Sequence, residues 1–296
     1  MKQRVNNTEG CCDINPSRSP SRRYPVALSI AGSDSSGGAG IQADIKTFSA
    51  LGVYGATAIT AITAQNTRGV YAQHAIPPQL VYDQIVAVME DVSPAVIKVG
   101  MLANADVVDA VAEALMRYDV PVILDPVMVS SSGHRLLSVE AEEVVKQRLM
   151  PMATLLTPNI PEMQALTSMP LSSDDEKREA AKRLMALGAR AILLKGGHEE
   201  GATKSDILYQ HGAVGITATP FTLPTIATRN IHGTGCTLSS AIAAYMARGY
   251  ALTEAVAAAK RYVYEAIMAG ADISIGGGHG PVNHLFNPCK MQVYEE

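Results

Sequence analysis

Cysteine is scarce in this chain, with only Cys11, Cys12, Cys236 and Cys289 in 296 residues. Their spacing fits neither a thiolate metal site nor a disulfide framework, which points to a reducing compartment, the cytoplasm. An excess of positive charge is also missing: 24 Lys and Arg against 28 Asp and Glu leave a formal charge of −4. That balance gives no reason to expect nucleic acid or an anionic membrane as partner. The longest uncharged run, between Lys46 and Arg68, is interrupted by Gly52, Gly55, Gln65, Asn66 and several threonines. It reads as buried strand and loop, not as a membrane span. No apolar segment follows the arginines of residues 1–24, and Glu9 and Asp13 count against a transit peptide. Residues 1–24 are therefore expected to be a disordered extension. The seven histidines form no metal-ligand or Ser-His-Asp pattern, and His198 and His232 are read as surface residues able to touch phosphate. No repeat or linker divides residues 25–296, which predicts a single domain.

What is present is a regular rhythm. Hydrophobic residues make up 47% of the chain, enough for a sizeable core. Short apolar runs at 26–31, 56–64, 95–100, 120–124, 154–157 and 191–194 read as strands. Amphipathic segments at 40–51, 77–91, 104–118, 139–150 and 253–268 read as helices, with two more between 160 and 187. Residues 205–222 break the rhythm and look like an antiparallel hairpin at a sheet edge. Such alternation predicts an α/β fold with a mainly parallel central sheet flanked by helices on both faces. Sites in these sheets lie beyond the carboxyl ends of the strands. That rule singles out Gly32–Asp34, Gln65, Met101, Asp125, Asn159 and Lys195.

The most informative stretch is His232-Gly-Thr-Gly-Cys-Thr-Leu-Ser239, which runs directly into a helical pattern. Gly233 and Gly235 let backbone N–H groups converge where a helix leaves its first donors unpaired, and the helix dipole adds positive potential. Such an end is an anion hole, with Thr234 and Cys236 beside whatever it holds. The loop after the first strand, residues 31–44, approaches a dinucleotide fingerprint through Gly38, Gly40 and Ala43. The next strand ends in Gln65 and Asn66, however, not in the acid that would hold a ribose. A Walker A loop fails because Ile45 stands where glycine should precede Lys46-Thr47. This loop is either a polar cover over a small-molecule pocket or a polar turn. Asn159 and Glu162 sit three apart and can share a helix face near Asp125, a sparse acidic set suited to magnesium and phosphate. Lys195 ends an apolar strand and can neutralise phosphate. Lysine, carboxylates and anion hole together favour phosphoryl transfer.

The motifs as a set resemble the ribokinase-like superfamily, and within it the hydroxymethylpyrimidine/phosphomethylpyrimidine kinases of thiamine biosynthesis. The resemblance covers residues 25–287. It rests on the run from Ile30 to Lys46, Thr63-Ala-Gln-Asn-Thr67, Lys98-Val-Gly-Met101, Asp125-Pro-Val127, Thr157-Pro-Asn159 with Glu162, Lys195-Gly-Gly-His198 and the 232–239 loop. It implies a ribokinase-like fold without a separate lid domain, and two successive ATP-dependent phosphorylations of 4-amino-5-hydroxymethyl-2-methylpyrimidine. It further implies that Gln65 reads the ring, with Gly32, Asp44 and Met101 around it. Asn159, Thr234 and Lys195 would handle the nucleotide phosphates, and Glu162 and Asp125 the magnesium. Gly233, Thr234 and Gly235 would hold the transferring group while Cys236 faces the acceptor. The implied cofactors are ATP and Mg2+, with a monovalent cation left open, and a homodimer is the expectation for the fold. Sugar kinases carry an aspartate where this chain has Cys236, and a neutral side chain there would not repel an acceptor that is already a phosphate. Three rivals are a pyridoxal kinase-like enzyme, a silent small-molecule sensor and a nicotinamide oxidoreductase. The last fails on the missing ribose acid, and the sensor on the retained Lys195, Glu162 and glycines.

Overall fold

A computed structural model describes residues 22–129, 136–197 and 201–295. In chain order the elements are β1 (Val26–Asp34), α1 (Gly40–Ala50), β2 (Tyr54–Asn66), β3 (Gly69–Ala75), α2 (Pro78–Asp91), β4 (Val96–Val99), α3 (Ala105–Leu115) and β5 (Val122–Leu124). Then follow α4 (Val139–Val144), β6 (Leu155–Leu156), α5 (Ile160–Thr167), α6 (Asp174–Ala186), β7 (Ala191–Leu194), the hairpin β8 (Thr203–His211) and β9 (Ile216–Pro224), α7 (Thr234–Ala247) and α8 (Leu252–Gly270). The strands form one nine-stranded sheet in the order β9-β8-β7-β6-β5-β4-β1-β2-β3. The six strands from β7 to β2 are parallel, and the outer pairings are antiparallel.

The parallel strands are uniformly apolar because helices cover both faces. Successive side chains alternate between those faces. Leu28, Ile30, Ile97, Val99, Ile192 and Leu194 pack with residues of α2, α3 and α6. Ala27, Val96, Ile123, Leu155 and Leu193 pack with Phe48 of α1 and with α7 and α8. Each fully buried leucine or isoleucine stabilises the fold by ~1.5–3 kcal/mol. α7 has no charged residue and buries nine of its positions, so it lies under α1 and α8 as a central helix. That placement brings its N-terminus, the glycine loop, to the carboxyl edge of the sheet.

The mainly parallel sheet and the edge hairpin follow the sequence reading. β3 was not anticipated: Tyr71, Ala72, Gln73 and His74 are exposed, so this edge strand carries no apolar signal. β1 runs on to Asp34 through an irregularity between Ala31 and Ser33. α6 starts earlier than its apolar pattern because Ser173 and Glu176 form a capping box. Arg22 and Arg23, within the stretch read as an extension, pair antiparallel with Glu295 and Tyr294, while residues 1–21 lie outside the described residues. Among the described residues no helix is long and apolar enough to cross a membrane.

Candidate active site

The strand order sets the order of the site. Beyond the carboxyl ends lies a cavity of about 650 Å³. Across the sheet its wall is built from Gln65 on β2, Gly32 on β1, Met101 after β4, Asp125 after β5, Asn159 and Glu162 around the start of α5, and Lys195 after β7. Asp206 and Lys260, with Leu223, Val263, Tyr264 and Ile267, line its β8–β9 side. Gly233, Thr234, Gly235 and Cys236 at the start of α7 complete the wall. Of the residues singled out from sequence, only Asp44 is not on it. His198 lies outside the described residues.

Gly233 is the N-cap of α7 at φ 79°, a left-handed conformation that suits glycine. A Cβ there would also collide with the carbonyl of Gly38, so the glycine lets the α7 loop close against the loop after β1. Gly235 lies beside Lys195, whose Nζ would be in ordinary contact, 3.5 Å, with a Cβ at that position. The N–H of Thr234 donates to the Ile231 carbonyl at 3.3 Å, and the next two, on Gly235 and Cys236, lack helical acceptors beside the cavity that Lys195 also lines.

Lys195 Nζ donates to Asp125 Oδ1 at 2.7 Å and lies 3.6 Å from Glu162 Oε2. Burial works against its charge, but the Asp125 and Glu162 carboxylates hold its pKa above the ordinary value. Asp125 also accepts from Thr157 and Ser239. Burial would raise its pKa, yet Lys195 and then Lys98 hold it below the usual range. Glu162 goes the other way: burial, partly opposed by Lys195 and reinforced by Asp125, pushes it up to about 7. Glu162 and Asn159 also form a capping box, with Asn159 N–H donating to Glu162 Oε2 at 2.8 Å and Glu162 N–H to Asn159 Oδ1 at 2.9 Å. The same carboxylate thus caps α5 and faces the lysine. Two neighbouring acids suit a divalent cation brought in with phosphates. No cluster of three or more acidic, histidine or cysteine ligands occurs among the described residues, so such an ion would depend on the nucleotide for its remaining ligands.

Asp44 lies beneath the wall. Its carboxylate is fully buried and takes hydrogen bonds from Lys98 Nζ at 2.8 and 3.0 Å, Ser29 Oγ at 2.5 Å and Ser240 Oγ at 2.6 Å. These satisfy both oxygens, so the structure does not bring Asp44 to a ring lying beside Gln65. Its partner Lys98 does line the cavity. Desolvation would lower the Lys98 pKa, but Asp44, and then Cys236 and Asp125, raise it and keep the ammonium charged. Lys98→Met leaves Asp44 buried without its cation and is expected to cost about 3–5 kcal/mol, read as a lower urea midpoint. Lys98→Met combined with Asp44→Leu should recover most of that loss. A single-variant loss under about 1 kcal/mol would rule out this role for the pair.

Cys236 sits where two helices begin, in the first turn of α7 and near the N–H of Gly40 at the start of α1. Burial nevertheless pushes the thiol up to about 11, with Asp44 and Asp125 adding to the rise and Lys98 and Gly40 opposing it.

His232 is not the surface residue expected from sequence. It is 6% exposed, and its Nε2 lies 2.8 Å from Asp34 Oδ2. Asp34 also accepts from the N–H groups of Ser36, Gly38 and Ala39 and from Ser36 Oγ, which fixes the polar loop after β1 in a definite conformation. Burial would raise the Asp34 pKa, but His232, Ser36 and the backbone donors bring it down to about 2. The sign of the pH effect follows. A depressed carboxylate contributes stability that is complete above its unfolded pKa near 4 and disappears as pH falls through about 2. The stability gap between the wild type and Asp34→Asn should therefore be widest above pH ~4 and close by pH ~2 in acid unfolding. A gap that is constant over that range would contradict the assignment.

Lys98, Asp34 and His232 were not identified as acting together from sequence, and neither were Asp206 and Lys260, paired at 2.7 Å. Asp206 Oδ1 accepts from Gly196 N–H, which braces the turn after Lys195. Their separation in the chain hid these pairs; only burial of charge in an apolar strand, as at Lys98, offered a signal.

Comparison with known proteins is consistent with this architecture. Residues 34–283 match the model of the phosphomethylpyrimidine kinase family. A hydroxymethylpyrimidine/phosphomethylpyrimidine kinase of Rhizobium meliloti is 47% identical over 261 residues, covering 88% of this chain and 97% of that protein. A thiamine biosynthesis bifunctional protein of Geobacter sulfurreducens is 49% identical over 269 residues, covering 90% of this chain. The chain spans only 54% of that relative's length. The solved ADP complex of Bacillus subtilis pyridoxal kinase superimposes with a TM-score of 0.80 at 35% identity, covering 88% of this chain and 98% of that one.

Proposed function

The chain belongs to the phosphomethylpyrimidine kinase family, and from that premise we propose that it transfers phosphate from ATP to 4-amino-5-hydroxymethyl-2-methylpyrimidine and then to the resulting monophosphate. One observation carries the reading. A single cavity places an amide, an anion-holding helix end and a charged lysine in sheet order, so a ring, a transferring phosphoryl group and a nucleotide fit side by side.

In this reading residues 25–296 act as one kinase domain. The ring lies against Gly32 and Met101, whose sulfur already packs against Gly32, with the Gln65 amide at its edge. The hydroxymethyl oxygen then points toward Gly233–Cys236. It attacks the terminal phosphorus, the bond to the ADP oxygen breaks, and the hydroxyl proton passes to solvent water as the new bond forms. The Gly235 and Cys236 N–H groups at the start of α7 and the Lys195 ammonium stabilise the charge on the transferring group. Mg2+ held by Glu162 and Asp125 would supply further neutralisation on the nucleotide phosphates. The apolar groove of Leu223, Val263 and Ile267 accepts the nucleotide base, and Asn159 and Thr234 lie beside its phosphates.

An ATP-consumption panel with the hydroxymethylpyrimidine, its monophosphate and pyridoxal tests this. Turnover of both pyrimidines is expected, and failure with both would overturn the assignment. Likeness to a pyridoxal kinase gives the third substrate its place: selective turnover of pyridoxal would favour that enzyme instead.

A further inference from the structure

Gln65 is held from two sides. Thr63 Oγ1 lies 3.1 Å from Gln65 Oε1, and His232 Nε2 lies 3.5 Å from Gln65 Nε2. The two ends of a carboxamide have the same shape, so the available hydrogens decide which end meets which neighbour. Thr63 has one hydroxyl hydrogen, and the Ser33 carbonyl 2.9 Å away can only accept it. The threonine oxygen is left to accept from Gln65, which calls for the NH2 group on that side. His232 Nε2 is 2.8 Å from Asp34 Oδ2. Every other partner of that carboxylate, at Ser36, Gly38 and Ala39, is a donor, so Asp34 has no hydrogen to give. Nε2 therefore carries the hydrogen and has no lone pair for an amide N–H. It can share that hydrogen only with an oxygen, which calls for Oε1 on the histidine side. Both neighbours independently demand the same orientation, Nε2 toward Thr63 and Oε1 toward His232, the reverse of the nearest-atom pairs given above.

We propose that Asp34 and His232, with Thr63, are positioning residues that fix the Gln65 amide and so select the hydrogen-bonding edge of the ring. The inference rests on the pyrimidine reading above. With one N–H and one lone pair engaged, the amide keeps one donor and one acceptor in a set order. That order matches a ring nitrogen beside an exocyclic amine and opposes a ring on which donor and acceptor are exchanged. His232 directly precedes Gly233, so the residue that orders the ring reader also leads into the loop that holds the phosphoryl group. Ring register and transfer geometry are tied through one peptide.

Two probes decide the matter with the full chain: the 4-amino pyrimidine and its 4-oxo counterpart, whose ring N–H and carbonyl exchange donor and acceptor. Equilibrium binding without nucleotide and steady-state kinetics are both measured. The wild type should favour the amino probe by ~10³ or more, as sites built on paired polar groups do. His232→Leu frees the amide to turn, and the preference should fall about 10²-fold. KM for the amino probe should rise more than kcat falls, and more than KM for ATP. His232→Gln, which keeps an N–H donor near the same place, should restore most of the preference. Thr63→Val removes the other guide, should lower the preference in the same way, and carries the test if the histidine variant does not fold. Equal weakening of both probes in these variants would reduce the residues to packing and overturn the proposal. A wild type that uses the amino probe without discriminating overturns this proposal alone. A wild type that uses neither probe overturns the substrate reading and this proposal with it.

Discussion

Lys195→Met should lower kcat by about 10³ while leaving binding of the pyrimidine nearly unchanged. The ammonium is the cation beside the first turn of α7, 2.7 Å from Asp125 and within reach of Glu162. In the proposed reading its charge stabilises negative charge that builds on the transferring phosphoryl group, an interaction stronger in the transition state than in the ground state, so the loss should fall on kcat. In that reading the ring lies at Gln65 on β2, five strands away from β7, so an equilibrium titration with the pyrimidine should not register the change. A structural explanation competes, because the substitution leaves Asp125 buried without its partner, and breaking such a pair costs about 3–5 kcal/mol. Lys195→Met/Asp125→Asn separates the two effects. It removes the orphaned charge and should recover the thermal midpoint, yet turnover should stay low. Recovery of turnover with stability, or a loss below tenfold in the single variant, would remove Lys195 from the transfer step.

The parts of the fold legible in the sequence are those where local pattern and tertiary environment agree. The parallel strands are apolar on both faces, and the helices show caps such as Asn104, Ser138 and Ser173, each accepting from a backbone N–H. β3 escaped because its exposed Tyr71, Gln73 and His74 carry no buried face. Among the site residues, strand-end position identified Gln65, Met101, Asp125 and Lys195 as candidates, since the topology of a parallel sheet brings its carboxyl ends together. The Asn159–Glu162 spacing announced two polar groups on one helix end, and the capping box shows why they sit together. Pairs joined only by the tertiary fold were invisible. Lys98 meets Asp44 across 54 positions and His232 meets Asp34 across 198. Nothing local marks His232 as buried, because what covers it are Gly38 and Pro281 from distant segments.

Charge at the base of the cavity is the feature on which two successive transfers would depend. Asp44, Asp125 and Glu162 are offset by Lys98 and Lys195, so an added carboxylate has no spare cation to meet among these groups. Cys236 stays neutral in this setting because burial pushes its thiol up to about 11. A neutral thiol tolerates both acceptors: a hydroxyl that loses its proton during transfer, and a phosphate monoester already anionic near neutral pH. Cys236→Asp should therefore separate the two steps. A carboxylate can take the proton of the hydroxyl, so the first transfer should stay within about tenfold of the wild type, since general-base assistance can offset part of the disturbance. The second acceptor would face a like charge at close range, a juxtaposition that costs several kcal/mol, and its transfer should fall by about 10²–10³. Single-turnover assays with the hydroxymethylpyrimidine and its monophosphate measure the steps independently. Cys236→Ser, uncharged and of similar size, should keep their ratio near that of the wild type. Equal losses in both transfers for Cys236→Asp would show that charge at this position does not decide the second phosphorylation.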